Sequence, residues 1–248
     1  AFIQAKDIDQ NYAKAWAGLA DAYLALSGTG VKGSIKPGEA ADKAKTAAKK
    51  ALELDNTLSE SYNSLGLISL RYDWNWAESE KYYRTAIERN KEFMSPRFGL
   101  ISLFRLQNKP DEALQQVKEL KEIDPFSMRA DVEIALINYN NKNYEEADKV
   151  LSDLLQRFPD NVNVKYVRAY LLMKTNRVKD AVDILEPFYA SNKDEDKILA
   201  AAPLGFAYGK MGRRADALRI IEDLDNLGKK GYVAAQEKAL IYVALGDY

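Results

Sequence analysis

Apolar and small residues recur along the chain with two periods at once. Over short stretches they follow the 3.6-residue repeat of one helix face, as in Trp16, Leu19, Ala20 and Tyr23. Over the whole chain a small residue recurs every 34 to 36 positions, and an apolar residue follows each of them seven positions later. The small residues are Ala44, Ser79, Ala113, Ala147, Ala181 and Ala217. A fixed period of this length predicts a solenoid of helix–turn–helix units.

The pattern therefore predicts an all-α fold, a solenoid of antiparallel helix pairs. One array spans residues 1–248, with repeats at roughly 11–58, 59–93, 94–127, 128–161, 162–197 and 198–231, flanked by partial repeats at 1–10 and 232–248. We expect the chain to be a fragment, because it begins and ends inside a repeat. Its last helix would then leave an apolar face uncovered, formed by Leu240, Ile241, Val243 and Leu245.

Composition narrows the possible functions. The chain has 36 basic and 37 acidic residues, a net charge of −1, which argues against a role in binding nucleic acid through its phosphates. It has no cysteine and no histidine, so thiolate and imidazole catalysis and the metal sites built on them are excluded. No apolar run is long enough for a membrane span. A cysteine-free chain suits the cytoplasm and the periplasm equally.

Two patterns could suggest enzyme chemistry, and both have a simpler interpretation. Residues 28–33 match G-x-G-x-x-G, but the dinucleotide fingerprint needs a strand before it and a helix directly after it. Here a predicted helix comes before, and Pro37 opens the next helix only after a gap, so we expect a loop. Neighbouring acids such as Glu145 and Glu146 fit a solvated helix start. We therefore expect no enzyme activity and no catalytic, cofactor or metal site.

The sixth repeat shows most clearly which family the chain resembles. Leu204, Gly205, Tyr208, Ala217, Ile221 and Leu224 stand at positions typical of the tetratricopeptide repeat, as do Asp124-Pro125 and the segment Asn-Tyr-Glu-Glu-Ala at 143–147. The resemblance covers essentially the whole chain. It implies a right-handed superhelix in which the first helix of each repeat lines a concave groove that binds a peptide or protein segment. Ala17 and Asp21 stand where the family's carboxylate-clamp members have Lys and Asn, so capture of a chaperone tail is not expected.

In that register, ten side chains just off the core stripe point into the groove and form the predicted partner-binding site. They are Asn63, Arg71, Phe98, Arg105, Arg129, Tyr139, Tyr166, Tyr170, Phe206 and Lys210, with Ser102 and Asn140 in the same register. Tyrosine and arginine are enriched at binding hot spots. The alternative is that these tyrosines pack on the neighbouring repeat. A second candidate edge is the aromatic turn with Trp74 and Trp76, which we expect to pack against the adjacent helix.

A narrower resemblance concerns the order of four segments. Residues 16–23, the long loop before Pro37, residues 51–55 and residues 72–78 are similar to the repeat regions of bacterial signalling proteins, such as winged-helix regulators, nucleotide cyclases and serine/threonine kinases. The leading hypothesis is a non-enzymatic scaffold that binds a peptide or protein in its groove. The alternatives are self-assembly through the uncovered terminal helix and a sensory module of a bacterial signalling protein.

Overall fold

The fold is all-α in a computed structural model that describes residues 1–27, 35–190, 194–229 and 233–247. This part of the chain contains fourteen helices and no strand. They are α1 (Phe2–Ile8), α2 (Ala13–Ala25), α3 (Pro37–Leu54), α4 (Ser59–Arg71), α5 (Trp76–Arg89), α6 (Ser95–Leu106), α7 (Pro110–Ile123), α8 (Met128–Asn140), α9 (Tyr144–Arg157), α10 (Val162–Lys174), α11 (Val178–Tyr189), α12 (Asp194–Lys210), α13 (Arg214–Gly228) and α14 (Ala235–Leu245). The G-x-G-x-x-G segment at 28–33 lies outside the described residues.

The described residues form two compact units. Unit 1 comprises residues 1–27 and 35–133, and unit 2 comprises residues 134–190, 194–229 and 233–247. In unit 1, α2 packs on α3, α4 on α5 and α6 on α7. In unit 2, α10 packs on α11, α12 on α13 and α14 on α12. Each unit is therefore a stack of helix hairpins, as predicted, while the repeat boundaries proposed from the sequence stay a prediction.

The small residues of the 34-residue pattern lie in the interior of the hairpins. Ala44, Ser79, Ala113, Ala147, Ala181 and Ala217 are all completely buried, at 0% exposure. A small side chain lets the second helix of a pair approach the first closely. Ser79 replaces alanine without leaving a buried polar group unsatisfied, because its hydroxyl donates to the Gly66 carbonyl oxygen at 2.9 Å.

The turns inside the hairpins share one backbone conformation. Trp74, Asn108, Lys142, Asn176 and Gly212 all have a positive φ, between 54° and 74°. In the regular turns, the residue after the one with positive φ donates its backbone N–H to the carbonyl oxygen five positions before it in the sequence. This hydrogen bond pairs one of the carbonyl groups left free at the end of the first helix. In the widened turn at Trp74 this bond reaches one residue further, from Asn75 N to Ser69 O at 2.9 Å. The left-handed conformation suits asparagine and glycine but strains a bulky residue such as Trp74.

The predicted uncovered apolar face of the terminal helix α14 is only partly exposed in the structure. Ile241 is completely buried and Leu245 packs against the core of unit 2, whereas Leu240 and Val243 are exposed. The reason is Gly205 on α12, where an added Cβ would lie 2.5 Å from Ile241 Cδ1. Among the described helices, none has both the length and the apolar composition needed to cross a membrane.

Candidate functional site

Eight of the ten predicted groove residues line two clefts, one in each unit. The unit-1 cleft has a volume of about 240 Å³ and is lined by Asn63, Leu67, Leu70, Arg71, Tyr83, Ser95, Phe98, Gly99, Ser102 and Arg129. The unit-2 cleft has a volume of about 540 Å³ and is lined by Tyr139, Tyr170, Met173, Lys174, Asn176, Val178, Phe206, Lys210 and Leu240. The remaining two predicted residues, Arg105 and Tyr166, contact other side chains beside these clefts, as described below.

The wall of the unit-1 cleft is set by one buried aromatic ring. Tyr83 projects from α5 and is only 1% exposed. Its ring lies against Gly66 of α4 and Gly99 of α6, and an added Cβ at either glycine would overlap it. The two glycines therefore let the ring fill the space between the first helices of two successive hairpins. This packing fixes the spacing at which α4 and α6 present their cleft-facing side chains.

Two arginines define the electrostatics of the unit-1 cleft. The Arg129 guanidinium stacks on the Phe98 ring, with Cζ 3.8 Å from the ring centroid. Burial lowers the pKa of Arg129, the charge of Glu133 opposes this shift, and the charge of Arg71 adds to it. Arg71 forms no ion pair with any described residue. Arg71 and Arg129 therefore both line a cleft whose described lining residues include no acidic side chain.

Arg105 was predicted to point into the groove, and the structure shows that its guanidinium forms an ion pair with Glu133. Its Nη1 donates to Glu133 Oε2 at 3.0 Å, and Glu133 is only 8% exposed. Burial raises the pKa of Glu133, and Arg105 counteracts this by stabilising the carboxylate. Since the negative charge of Glu133 neutralises the positive charge of Arg105, Arg105 adds little net charge to the cleft.

The unit-2 cleft is larger and mainly apolar, and three of its lining residues are aromatic. Tyr166 and Tyr170 lie one turn apart on α10, with ring centroids 4.8 Å apart and hydroxyl oxygens 3.4 Å apart. Burial raises the pKa of Tyr170, and its contact with Tyr166 adds to the shift, so its hydroxyl remains protonated at neutral pH. Lys210 lies at the cleft with Nζ 5.6 Å from the Phe206 ring centroid.

Sequence reasoning missed lining residues on both helices of the hairpins. Tyr83 reaches the unit-1 cleft from the second helix α5, and Val178 reaches the unit-2 cleft from α11. Leu240 comes from α14, the helix that follows the last complete hairpin. Met173 and Lys174 lie at the end of α10, one turn beyond Tyr170. An i+3 and i+4 search from Tyr170 would have found these two residues.

The aromatic turn divides into an exposed and a packed tryptophan. Trp76 is half-buried at the start of α5, with its indole Nε1 buried, which agrees with the packing interpretation. Trp74 is 72% exposed and adopts a φ of 54°. The expectation that Trp74 packs on the adjacent helix was therefore wrong, because the left-handed turn directs its side chain into solvent.

Stacked helix hairpins with clefts along their first helices define a helical-repeat scaffold. A family model described as the tetratricopeptide repeat matches residues 68–127, and a model described as the N-terminal domain of the type VII, ESX-1 secretion system protein EccA1 matches residues 105–246. The chain therefore belongs to the tetratricopeptide-repeat proteins and, over more than half its length, to the family of that N-terminal domain.

Individual relatives are distant. A TPR repeat-containing protein of Methanocaldococcus jannaschii is 33% identical over 67 residues, which is 27% of this chain and 21% of that protein. A tetratricopeptide repeat protein of Parabacteroides merdae superposes with a TM-score of 0.70 at 16% identity, covering 98% of this chain and 90% of its own. Yeast Tom70 gives 0.62 at 16% identity, covering 99% of this chain and 57% of its own. Pseudomonas aeruginosa PilF gives 0.57 at 17%, covering 95% and 98%. At these identities the solved structures show the fold alone.

Proposed function

We propose that this chain is a non-enzymatic scaffold that binds a peptide or protein segment in the unit-2 cleft. The observation that supports this most is the convergence of Tyr139, Tyr170 and Phe206 on one cleft of about 540 Å³. That volume falls within the range of about 300–1,000 Å³ typical of ligand sites. Aromatic rings offer large contact areas at low entropic cost, which makes them frequent anchors of protein recognition.

The polar groups of the cleft suit binding better than catalysis. Its titratable side chains are tyrosines and lysines, and the described lining residues include no nucleophile paired with a general base. The Tyr170 hydroxyl is protonated at neutral pH and can donate a hydrogen bond to a backbone carbonyl of a bound segment. Lys210 and Lys174 add positive charge at the rim. Tetratricopeptide repeats generally mediate protein–protein interactions.

The proposal can be tested without knowing the natural partner. A display library of random peptides is selected on the immobilised protein, and the dissociation constants of the recovered peptides are measured by fluorescence anisotropy. We expect Tyr170→Ala and Phe206→Ala each to weaken binding about tenfold or more, as for aromatic hot spots. Phe158→Ala, which truncates an exposed aromatic outside the cleft, should leave affinity unchanged.

Two controls make the outcome decisive. Tyr170→Phe keeps the ring and should retain most of the affinity, and circular dichroism checks that each variant keeps its helical content. Unchanged binding to the Tyr170→Ala and Phe206→Ala variants would show that the peptides bind elsewhere. Recovery of no peptide at all would argue against a peptide-binding scaffold.

Self-assembly is a second candidate, supported by exposed apolar side chains on α14. Leu240, Tyr242 and Val243 are 39%, 38% and 51% exposed. A second copy covering them would produce a dimer that light scattering detects as concentration rises. A molecular mass that stays monomeric at high concentration removes this candidate. The bacterial signalling context stays a hypothesis that the flanking reading frame tests, since a winged-helix, cyclase or kinase domain must then adjoin this segment.

A further inference from the structure

We propose that the unit-1 cleft binds an acidic segment of a partner through the side-chain carboxylates of its Asp or Glu residues. The inference rests on the proposed binding function and extends it to a second cleft with its own ligand chemistry. The described lining residues include two charged side chains, Arg71 and Arg129, and both are cationic. The chain as a whole has a net charge of −1, so this local excess is not a reflection of overall composition.

The positive charge of this cleft is only partly offset by a neighbouring carboxylate. Glu133 is the acidic group that acts on Arg129, but it already accepts a hydrogen bond from Arg105 at 3.0 Å. Arg71 pairs with no described carboxylate and adds to the positive potential felt by Arg129. Arg105 and Arg129 both interact with the one carboxylate of Glu133, whereas Arg71 has no ion-pair partner among the described residues, so positive charge exceeds negative charge at the cleft and favours a bound anion.

The neutral lining residues complete a site for carboxylates. The Asn63 amide and the hydroxyls of Ser95 and Ser102 can donate hydrogen bonds into the same cleft. Stacking on Phe98 holds one face of the Arg129 guanidinium, so its in-plane N–H groups stay available for a bidentate contact with a carboxylate.

Size indicates which part of a partner enters. At about 240 Å³ the cleft is smaller than sites that enclose a whole small ligand, which start near 300 Å³. It has room for one or two acidic side chains of a segment whose backbone lies across the first helices. Leu67 and Leu70 provide apolar contact for their methylene groups.

The test compares display selections on charge variants. Peptides are displayed by fusion of their C-termini to the coat protein, so any acidic preference must come from side chains. Selections are run on the wild type, on Arg71→Gln/Arg129→Gln and on the control Arg84→Gln/Arg89→Gln. The control removes two exposed arginines of α5 that do not line the cleft, so both double variants change the net charge equally.

We expect Asp and Glu to be enriched in peptides from the wild type and the control and not in peptides from Arg71→Gln/Arg129→Gln. For a recovered acidic peptide, loss of two partly exposed charge contacts should raise Kd about tenfold. The charge reversal Arg71→Glu/Arg129→Glu should instead enrich Lys and Arg. Peptides without acidic bias, or a bias that survives Arg71→Gln/Arg129→Gln, would overturn this inference while leaving the unit-2 cleft intact. Recovery of no peptide would remove both proposals.

Discussion

Substituting Gly99 tests the packing that shapes the unit-1 cleft, and its effect should change sign with the residue at position 83. Gly99 lies inside α6, where alanine is favoured over glycine by about 1 kcal/mol. Here, however, the added Cβ would overlap the far end of the Tyr83 ring. The ring cannot move away from Gly99, because it also packs closely against Gly66. An added Cβ at Gly66 would lie only 2.7 Å from Tyr83 Cδ1. Tyr83 is therefore enclosed on both sides.

The magnitude follows from two opposing terms. Overpacking a filled core costs about 1–3 kcal/mol, and the upper end applies where several ring atoms are overlapped. After subtracting the helix-propensity gain of about 1 kcal/mol, Gly99→Ala should lower the free energy of unfolding by about 2 kcal/mol. In a Tyr83→Leu background the overlapping ring atoms are gone, and the same substitution should raise it by about 1 kcal/mol. The coupling energy is then about 3 kcal/mol, which is large for a single pair.

Urea unfolding followed by circular dichroism on the four members of this cycle measures the coupling. Gly38→Ala is the control, because no atom lies within 4 Å of a Cβ built at Gly38 in α3. It should stabilise the protein slightly in both backgrounds. If the effects of Gly99→Ala and Tyr83→Leu add to within about 0.5 kcal/mol, the ring does not fill the space between the helices as described.

Three further effects follow from single side chains. Trp74 adopts a φ of 54°, so Trp74→Gly should raise the free energy of unfolding by about 1 kcal/mol, whereas Gly212→Ala at φ 74° should lower it by a similar amount in urea titrations. The Ser79 hydroxyl donates to a backbone carbonyl of α4, so Ser79→Ala should lower the free energy of unfolding by at most about 1 kcal/mol. Ser79→Leu, which forces a larger side chain into a fully buried position, should lower it by about 3 kcal/mol, as measured by thermal unfolding. Burial raises the pKa of Asp148, but hydrogen bonds from two arginine side chains outweigh this and lower it. A depressed carboxyl pKa stabilises the fold above the unfolded pKa of about 4 and loses this effect as pH falls through the folded pKa. The destabilisation caused by Asp148→Asn, about 1 kcal/mol at pH 7 in urea titrations, should therefore shrink as pH is lowered below about 4.

The sequence was sufficient for the fold because one requirement recurs in every hairpin. The close approach of two helices needs a small residue at the same place each time, and Ala113 and Ala147 meet it like the other four. The cleft positions of Arg129 and Phe206 followed from the same register, since first helices repeat with the same face toward the cleft. What could not be predicted was pairing between helices. The partner of Arg105 lies 28 residues away on α8, and no local pattern marks it.

Charge pairing also explains why the two clefts differ although the same register produced both. In unit 1, Glu133 forms an ion pair with Arg105, and Arg71 and Arg129 line a small cleft without an ion pair to any described carboxylate. In unit 2, Tyr170 contributes an aromatic ring to a larger and mainly apolar cleft. A single repeat pattern therefore produces sites with distinct chemistry, because the pattern fixes only which positions face the cleft. The residues at those positions, and the partners they find on neighbouring helices, decide whether a cleft prefers carboxylates or apolar side chains.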